Sequence, residues 1–575
     1  MISGISVSPG IVFGKALLFK EKKIKINKNK ISSQNIKTEI KKFLKARKKS
    51  KNQIKEIKIQ AKKKFGKEKA SIFEGHILLL TDEELEKEII NLIENKLLRA
   101  EYAVEKIIQE QINSLEEIKD EYLKNRSIDI RDIGNRLLKN ILNIKIIDLN
   151  NIKKKIILIT NDLTPSQTAQ INLKKIIGFA TNLGGKTSHT SIMAKSLEIP
   201  AIVGIGNITK KIKNGDFLIL DSIHNKIIIN PNKSKIKKFK NEKKIYHKQQ
   251  KKLISLKNLS AITKDGRIIK IGSNIGNYED AIKSKKYGSE FIGLYRTEFL
   301  FMGRNNLPSE EEQFQAYKSV AKKMIGKNII IRTMDIGGDK NLSYMNFPKE
   351  ENPFLGWRAI RVSIDNKNIL YDQLKAILRA SAFGKFKIMF PMIISIEEIQ
   401  YLKQEIEKIK NKLRKKKINF DENIQLGVMI ETPASAIISK YLAKEVDFFS
   451  IGTNDLTQYT LAVDRGNDFI SKLYQTMSPS ILYLIKKVIN SSHKEKKWTG
   501  ICGELASNKK YISLLIGMGI DELSMSSISI PTIKNIIRKI SFIKAKKLAK
   551  NVLKKSTVKE VKQLIKKFNE KENLL

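Results

Sequence analysis

Residues 426–452, LGVMIETPASAIISKYLAKEVDFFSIG, decide the fold of the second half of this chain. The stretch opens and closes with short apolar runs, near 426–431 and 447–452, and both runs predict strands. The residues between them have the apolar spacing of a helix. A strand, a helix and another strand in this order form one unit of a parallel sheet.

The same alternation continues through the rest of the second half. Candidate strands lie near 268–273, 291–295, 328–333, 386–391, 426–431, 447–452, 498–502 and 521–525. Eight such units over about 300 residues predict a (β/α)8 barrel. We therefore assign residues 260–575 to a barrel domain.

The first half reads as an α/β domain with a helical insertion. Short apolar runs bounded by Gly, Asn and Asp predict its strands, at 5–19, 155–160, 176–181, 200–205, 217–220 and 226–230. Residues 1–20 and 146–230 make up this domain. Residues 21–145 have helical apolar spacing, including Phe73, Ile77 and Leu80, with very few Gly or Pro. Residues 231–259 are rich in lysine and predict a solvated linker helix.

Composition excludes several classes of protein. No run of about 18 apolar residues predicts a membrane helix, and the first residues do not resemble a secretory signal, so a cytoplasmic protein is expected. A single cysteine excludes an intrachain disulfide framework. The formal net charge is +51, but the lysines are spread through every segment, beside Ile or Asn. We interpret this as compositional bias rather than nucleic-acid binding, since no zinc-finger or RNA-binding motif accompanies it.

Reactive side chains follow several predicted barrel strands, where barrel enzymes place their active sites. They are Arg296, Arg332, Glu431, Asn454, Asp455 and Cys502, joined by Arg465 in the loop after the sixth strand. Arginines grip phosphate and carboxylate groups through forked hydrogen bonds, which predicts a small, multiply charged anion as ligand.

The remaining rim residues suggest what happens to that anion. Glu431 and Asp455 offer the oxygen ligands that Mg²⁺ prefers, although either carboxylate alone is as readily half of a salt bridge. Metal and arginines together would stabilise an enolate as a phosphoryl group departs. Cys502 would then give a proton to carbon, whereas a cysteine considered alone more often serves as packing.

A second stretch with chemical character is GGKTSHTS at 184–191, followed by a helical sequence. Paired glycines let the backbone approach a phosphate, and a helix start offers free N–H groups. His189 is then a candidate phosphate carrier, with Ser and Thr hydroxyls nearby. Two alternatives are an ordinary helix-start histidine and a nucleotide P-loop, but the first glycine of a P-loop is replaced by Ala180.

Longer motifs carry a resemblance to a known family. GGKTSHTSIMAK at 184–195 and DFFSIGTNDLTQYTLAVDR at 447–465 resemble the two signatures of phosphoenolpyruvate-utilising enzymes. Further motifs extend the likeness to the whole chain, which resembles bacterial Enzyme I of the sugar phosphotransferase system: YRTEFLFM at 295–302, RTMDIGGDK at 332–340, NPFLGWRAIR at 352–361 and ICGELA at 501–506.

The resemblance implies a complete reaction and its residues. A helical subdomain would dock the carrier protein HPr, a swivelling domain would carry phosphate on His189, and a dimeric barrel would bind phosphoenolpyruvate and release pyruvate. Substrate contacts would come from Arg296, Arg332, Asn454, Asp455 and Arg465, Mg²⁺ ligands from Glu431 and Asp455, and the proton from Cys502. A dikinase or synthase sharing both signatures would need a nucleotide-binding domain, and none is apparent in residues 21–145.

The sequence departs from the family at two kinds of position. Lys186 and Lys195 stand where the family usually has Arg, which keeps the charge but loses the bidentate fork. The predicted docking helices are rich in lysine, and their main acidic group near His76 is Glu74, Glu83, Glu84 and Glu86. A basic HPr surface would meet mixed charge there, so its association rate should depend less steeply on salt.

Overall fold

A computed structural model describes most of the chain, and the residues outside it are 1, 20–23, 66–71, 118–120, 145, 147–148, 150–151, 153, 173, 186–187, 198, 303, 339, 341, 343, 468 and 575. The side chains of 62–65, 121–126, 189, 192–193, 196, 249–250, 252 and 254 are also not described. The chain divides into two compact units, Met1–Lys248 and Gln249–Leu575.

The first unit is built on a mixed sheet that has seven strands among the described residues. The strands are β1 (Ile5–Ser8), β2 (Ile11–Phe19), β3 (Ile156–Thr160), β4 (Ile176–Thr181), β5 (Ala201–Val203), β6 (Phe217–Asp221) and β7 (Lys226–Ile229). Their order is β1-β5-β4-β3-β2-β6-β7, with β2 to β5 mutually parallel. Separate apolar clusters cover the two faces, as a sheet buried on both sides requires.

Helices follow β2 as an insertion into this sheet: α1 (Ile36–Phe65), α2 (Ile72–Thr81), α3 (Glu83–Lys96), α4 (Ala100–Glu117) and α5 (Glu121–Ile141). The predicted apolar stripe is present, since Phe73 and Leu80 are buried and Ile77 is packed beside them. Asp82 caps α3 by accepting the backbone N–H groups of Glu84 and Leu85. Short helices α6 (Pro165–Ala169), α7 (His189–Leu197) and α8 (Ile208–Lys211) connect the later strands of the sheet.

The helix α9 (Lys233–Ser255) differs in part from its prediction as a solvated linker. Phe239 is only 8% exposed and packs with Ile236 against Ile11 and Ile219 of the sheet. Two apolar side chains three positions apart lie on one face of a helix, and this narrow stripe is enough for one-sided packing. Most of residues 233–248 are exposed, as predicted for a solvated helix, and the stripe of Ile236 and Phe239 is the part that packs on the sheet.

The second unit is a closed barrel of parallel strands, numbering eight in the part of the chain that the structure describes. The strands are β8 (Lys270–Ile275), β9 (Phe291–Arg296), β10 (Asn328–Arg332), β11 (Lys385–Phe390), β12 (Gln425–Ile430), β13 (Phe448–Ile451), β14 (Trp498–Ile501) and β15 (Glu522–Met525). They follow one another around the barrel in chain order, and β15 pairs with β8. The predicted fold class, an α/β multidomain chain with a (β/α)8 barrel, is confirmed.

Helices surround the barrel and bury its outer face in one large apolar core. They are α10 (Tyr278–Lys286), α11 (Glu310–Lys323), α12 (Ile360–Asp365), α13 (Lys367–Ser381), α14 (Ile396–Lys415), α15 (Pro433–Ile437), α16 (Ser439–Glu445), α17 (Thr453–Leu461), α18 (Pro479–Lys494), α19 (Ile512–Met518), α20 (Ile530–Ile537), α21 (Phe542–Val552) and α22 (Val558–Lys571). The inside holds a smaller apolar cluster that includes Phe448, Met429 and Cys502. The barrel is thus filled with side chains, which leaves its rim for chemistry.

Charged and aromatic side chains fill the end of the barrel where the strands begin, opposite the carboxyl ends. Phe448 and Trp498 stack with ring centroids 4.6 Å apart, and the Lys387 ammonium lies 4.9 Å from the Trp498 ring. Glu522 is buried beside Lys270, whose Nζ is 3.6 Å from Glu522 Oε1. Burial raises the pKa of Glu522 to about 7, although both lysines oppose the shift.

Buried Lys534 holds the segment that precedes the first barrel strand. Lys534 Nζ donates to the backbone carbonyls of Lys257, at 3.1 Å, and Gly288, at 3.0 Å, and it lies 3.0 Å from Glu290 Oε1. Gly288 has a φ of +78°, and a Cβ there would lie 2.2 Å from the Lys257 carbonyl oxygen. The short turn Leu256–Asn258 is therefore part of the barrel unit.

None of the helices in the described ranges is long and apolar enough to cross a membrane. The four-part division of the chain at residues 20, 145, 230 and 259 stays a prediction.

Candidate active site

The predicted rim residues lie at the carboxyl ends of neighbouring parallel strands. Arg296 ends β9 and Arg332 ends β10, and the two are register partners in adjacent strands. Glu431 directly follows β12, and Cys502 directly follows β14. Asn454 and Asp455 lie in the first turn of α17, immediately after β13. Sequence reasoning therefore located these strand ends correctly.

Arg332 is the centre of a buried ion-pair network. Its Nη2 donates to Glu298 Oε1 at 2.6 Å and lies 3.0 Å from Asp335 Oδ2. Burial alone would lower the pKa of the Arg332 guanidinium, but the carboxylates of Glu298, Asp335 and Glu431 outweigh burial and raise that pKa. A second guanidinium nitrogen, Nε, is buried without a hydrogen-bond partner. Arg332 is thus permanently charged and held in place.

Arg358 is the second buried cation, and it was not predicted to be a site residue. It is 2% exposed, and its Nε and Nη2 donate to the two oxygens of Asp335 at 2.8 and 3.1 Å. Its Nη1 donates to Asp455 Oδ1 at 3.3 Å and to the Tyr459 hydroxyl at 3.1 Å. Arg358 therefore links the Asp335 carboxylate to the Asp455 carboxylate.

Asp335 balances these cations. Burial would raise its pKa, but Arg332, Arg358 and Lys340 hold the pKa of this carboxyl well below its usual range. The Lys340 ammonium lies 3.3 Å from Asp335 Oδ2. Asp335 is thus fully ionised and fully paired.

Glu431 is in the opposite situation. It is 0% exposed, and its Oε1 accepts the backbone N–H of Met392 at 2.8 Å, while its Oε2 has no hydrogen-bond partner. Burial, followed by the negative charges of Asp455 and Asp335, raises the pKa of Glu431 to about 8. A buried carboxylate oxygen without a donor costs free energy that a cation would recover.

The remaining predicted contacts surround the start of α17. Asn454 Oδ1 accepts the backbone N–H of Glu504 at 3.3 Å. The backbone carbonyl of Asn454 accepts the Tyr474 hydroxyl at 3.0 Å. Burial raises the pKa of Tyr474, while the positive charge of Arg465 opposes the shift. Arg465 thus lies within electrostatic range of this cluster, with an exposed side chain.

Cys502 is a buried free thiol. Burial raises its pKa, while a hydrogen bond from Ser450 and the charge of Arg332 oppose the shift. The thiol therefore keeps its proton at neutral pH. A Cβ on the next residue, Gly503, would lie 2.0 Å from Thr453 Oγ1, so only glycine fits there.

Asp335, Arg358 and Glu298 are the functional candidates that sequence reasoning missed. They lie in loops or a short turn after the strands, rather than at strand ends. The motifs at 295–302, 332–340 and 352–361 contain all of them, so the signal was present without an assigned role.

The candidate phosphate carrier lies in the first unit. His189 begins helix α7, but its side chain and residues 186–187 lie outside the described part, so the consequence of Lys186 is not tested. The Ser188 and Ser191 hydroxyls both donate to the Gly185 carbonyl, at 3.0 and 2.5 Å. In this arrangement the two hydroxyl protons bond within the loop.

The predicted acidic group on the docking helices is partly paired. Glu74 lies 2.8 Å from Lys58, and Glu86 forms an ion pair with Arg47. Glu83 and Glu84 are exposed. His76 is buried, with its Nε2 3.3 Å from Asp129 Oδ1. The exposed part of this face is thus less acidic than the count of glutamates suggests.

Among the described residues of the first unit, another group of side chains could hold a metal ion. It consists of Asp221 at the end of β6, His224 in the following turn and Glu242 in α9. The Asp221 carboxylate already accepts two backbone N–H groups and contacts His224 Nδ1 at 2.7 Å. We interpret this group as a structural link, because the oxygens of Asp221 are already used.

The barrel rim fits a divalent cation and a small anion. Glu431 Oε2 is an orphaned buried oxygen, and Asp455 is a second carboxylate close enough to raise the pKa of Glu431. Such hard oxygen donors suit Mg²⁺. Arg296 and Arg465 are exposed at the same rim, so their guanidinium groups remain accessible to a phosphate or carboxylate.

Comparison with known sequences places these features in a family. Three family descriptions match in chain order: "PEP-utilising enzyme, N-terminal" at residues 3–126, "PEP-utilising enzyme, mobile domain" at 152–225, and "PEP-utilising enzyme, PEP-binding domain" at 249–542. The barrel and its rim residues fall within the last of these matches. Together they define the class, the phosphoenolpyruvate-utilising enzymes.

Full-length relatives narrow the class. Proteins named phosphoenolpyruvate-protein phosphotransferase are 66% identical in Buchnera aphidicola subsp. Schizaphis graminum, covering 99% of this chain and 100% of the relative, and 56% identical in Haemophilus influenzae, covering 99% of each. The chain therefore belongs to the bacterial phosphoenolpyruvate-protein phosphotransferase family, also called Enzyme I. An NMR structure of Enzyme I (nEIt) is 44% identical, with 43% of this chain and 100% of that chain covered and a TM-score of 0.40.

Proposed function

We propose that this phosphotransferase moves the phosphoryl group of phosphoenolpyruvate to His189 and from there to a histidine of HPr, releasing pyruvate. This would be the first step of sugar uptake by the phosphotransferase system. The observation that carries the proposal is the rim of the barrel, where a partner-free buried carboxylate oxygen lies among fixed guanidinium groups.

The anion would bind through the rim arginines. Arg332 is held by Glu298 and Asp335, so it needs little reorganisation to meet a phosphate or carboxylate. Arg296 and Arg465 are exposed and would close on the ligand, while the Asn454 amide would supply a neutral donor. Preorganised charge of this kind favours a transition state in which negative charge spreads over the departing group.

Glu431 and Asp455 are the residues that would hold Mg²⁺, and the ion would neutralise negative charge on phosphate and carboxylate oxygens. Arg358 would keep Asp455 oriented through its 3.3 Å contact while remaining anchored on Asp335. The pKa of about 8 at Glu431 belongs to the protein alone, and a bound cation would favour the ionised carboxylate.

The chemical steps divide between two residues. A His189 nitrogen would attack phosphorus as the bond to the enol oxygen breaks, leaving an enolate. Cys502 would give its S–H proton to the methylene carbon, forming the methyl group of pyruvate, and the thiolate would regain a proton from water. The raised pKa of the Cys502 thiol suits a proton donor.

Phosphohistidine would then transfer its phosphoryl group to HPr docked on the helical insertion. Because His189 and the rim belong to different units of the chain, we propose that turnover includes a swivelling motion of the His189 domain. We also propose that the enzyme acts as a homodimer through the barrel domain in the cytoplasm.

A labelling experiment tests the function. The full chain is incubated with phosphoenolpyruvate carrying a radioactive phosphate and Mg²⁺, with and without HPr. We expect an acid-labile, base-stable label on the wild-type protein, its transfer to HPr, and no label on a His189→Ala variant. Label that persists in His189→Ala would contradict the proposal, and label taken from ATP without phosphoenolpyruvate would support a dikinase instead.

A further inference from the structure

Asn274 is a polar side chain at the rim that the proposed chemistry does not use. It lies on β8, two strands along the barrel from β14, after which Cys502 follows. Its Nδ2 donates to the backbone carbonyl of Cys502 at 2.8 Å. Its Oδ1 accepts the hydroxyl of Ser524, a buried residue of the intervening strand β15, at 2.5 Å. One short relay thus joins three consecutive strands.

The relay begins where the backbone ladder stops. The last register partners of β14 and β15 are Ile501 and Leu523, so Cys502 lies one residue beyond the paired region. The carbonyl of a residue beyond the paired part of its strand ordinarily accepts a hydrogen bond from water. Here the Asn274 amide replaces the water by donating to the Cys502 carbonyl. The Ser524 hydroxyl donates to Asn274 Oδ1 and so orients the amide with its N–H group toward Cys502.

Cys502 is also held from its other side. Its backbone N–H donates to the Ile451 carbonyl at 3.2 Å, and its thiol lies 3.8 Å from the same oxygen. The bond to the N–H fixes the peptide plane before Cys502, and the bond from Asn274 fixes the plane after it. Two fixed planes leave the direction of the Cα–Cβ bond little freedom.

We propose that Asn274, oriented by Ser524, is a positioning residue that aims the Cys502 thiol at one face of the enolate. The inference rests on the proposed function, in which Cys502 protonates carbon. A general acid acts only when its proton is correctly placed, and a misplacement of about 1 Å costs up to about a hundredfold in rate. Asn274 thus controls the protonation step rather than substrate binding.

The test uses full-length Asn274→Ala and Ser524→Ala. Phosphoenolpyruvate with deuterium at one defined methylene position is turned over in tritiated water, and the chirality of the pyruvate methyl group is measured beside the rate of pyruvate release. We expect Asn274→Ala to lose about tenfold to a hundredfold in pyruvate release and to give a largely racemic methyl group. Ser524→Ala, which removes one atom, should show a smaller loss in the same direction.

A matched control exists in the same unit. Ser513 of α19 donates to Asn569 Oδ1 of α22 at 2.8 Å, and Asn569 Nδ2 donates at 2.8 Å to the carbonyl of Lys510, which lies in the loop between β14 and α19. Asn569→Ala removes an equivalent relay without touching Cys502. It should keep a chiral methyl group and wild-type pyruvate release per folded molecule.

The outcomes separate the inference from the function beneath it. A wild-type rate and full chirality in Asn274→Ala, measured beside a defective Cys502→Ala, would overturn the inference alone. Equal racemisation in Asn569→Ala would also overturn it, since the effect would then be general loosening. Full chirality in Cys502→Ala would overturn the proton-donor assignment itself. If Asn274→Ala fails to fold, wild-type chirality in Ser524→Ala decides against the inference.

Discussion

Asp455→Asn should separate activity from stability more cleanly than other changes at the rim. Asp455 contributes one oxygen to Arg358, at 3.3 Å, whereas Asp335 contributes two, at 2.8 and 3.1 Å. An asparagine keeps an oxygen that can accept the same bond, and the substitution also removes a negative charge that raises the pKa of Glu431. The free energy of unfolding should therefore fall by less than about 1 kcal/mol.

Turnover of phosphoenolpyruvate should respond far more strongly. The substitution removes one of the two proposed carboxylate ligands of Mg²⁺, and metal-ion stabilisation of transition-state charge is worth several kcal/mol. A loss of about 3–4 kcal/mol corresponds to a rate decrease of roughly 200- to 1000-fold. Phosphoryl exchange with HPr should remain intact, because we propose that it takes place at His189 on the first unit.

The assay measures steady-state pyruvate release over a range of Mg²⁺ concentrations, phosphate exchange with HPr, and thermal unfolding of one preparation. The exposed Glu407→Gln serves as a neutral control, and Asp335→Asn serves as a destabilising control because Asp335 is buried between cations. Unchanged turnover with unchanged Mg²⁺ dependence in Asp455→Asn would refute the metal assignment. A loss of stability as large as that of Asp335→Asn would refute the reasoning about Arg358.

Burial raises the pKa of Glu522 from 4.5 to about 7, so the free energy of unfolding falls as the pH rises between those values, by about 3 kcal/mol above pH 7. Glu522→Gln should therefore be more stable than the wild type at pH 8 but not at pH 4.5. Chemical denaturation of both proteins at the two pH values checks this. Cys502→Ala should keep phosphate exchange with HPr and lose about a hundredfold or more in pyruvate release, and wild-type release would show that the thiol is only packing. A fragment of residues 1–259 should exchange phosphate with HPr without using phosphoenolpyruvate, and its labelling by phosphoenolpyruvate alone would contradict the domain division.

The sequence predicted the strand-end part of the site because parallel strands in a barrel bring their carboxyl ends to one rim. Arg332, Glu431 and Cys502 needed only the strand positions and that rule. Arg358 reaches the same rim from the long connection between β10 and α12, and sequence periodicity does not say how an irregular segment folds back. Its neighbour Ala359 has a φ of +57°, a conformation that sequence reasoning does not assign to alanine.

Two other differences have local causes. Sequence reasoning noted the hydroxyls near His189 but not their partners, and Ser188 and Ser191 bond their own loop, as hydroxyls at helix starts commonly do. The linker helix was interpreted as solvated because its apolar residues are thinly spaced among lysines, whereas two of them, Ile236 and Phe239, are enough to pack one face. In both cases the competing interaction was local and small, and composition did not show it.

The Lys534 anchor determines where the barrel can be cut. The boundary predicted from sequence begins the barrel at residue 260, but the ammonium of Lys534 bonds the carbonyl of Lys257. A fragment starting at 260 would lose that acceptor and leave a buried cation one hydrogen bond short. A fragment starting at Leu256 keeps the acceptor. Residues Leu256–Asn258 therefore belong to the folded barrel unit and do not act as a flexible linker. Proteases should accordingly reach the chain before Leu256 more readily than they reach Lys257.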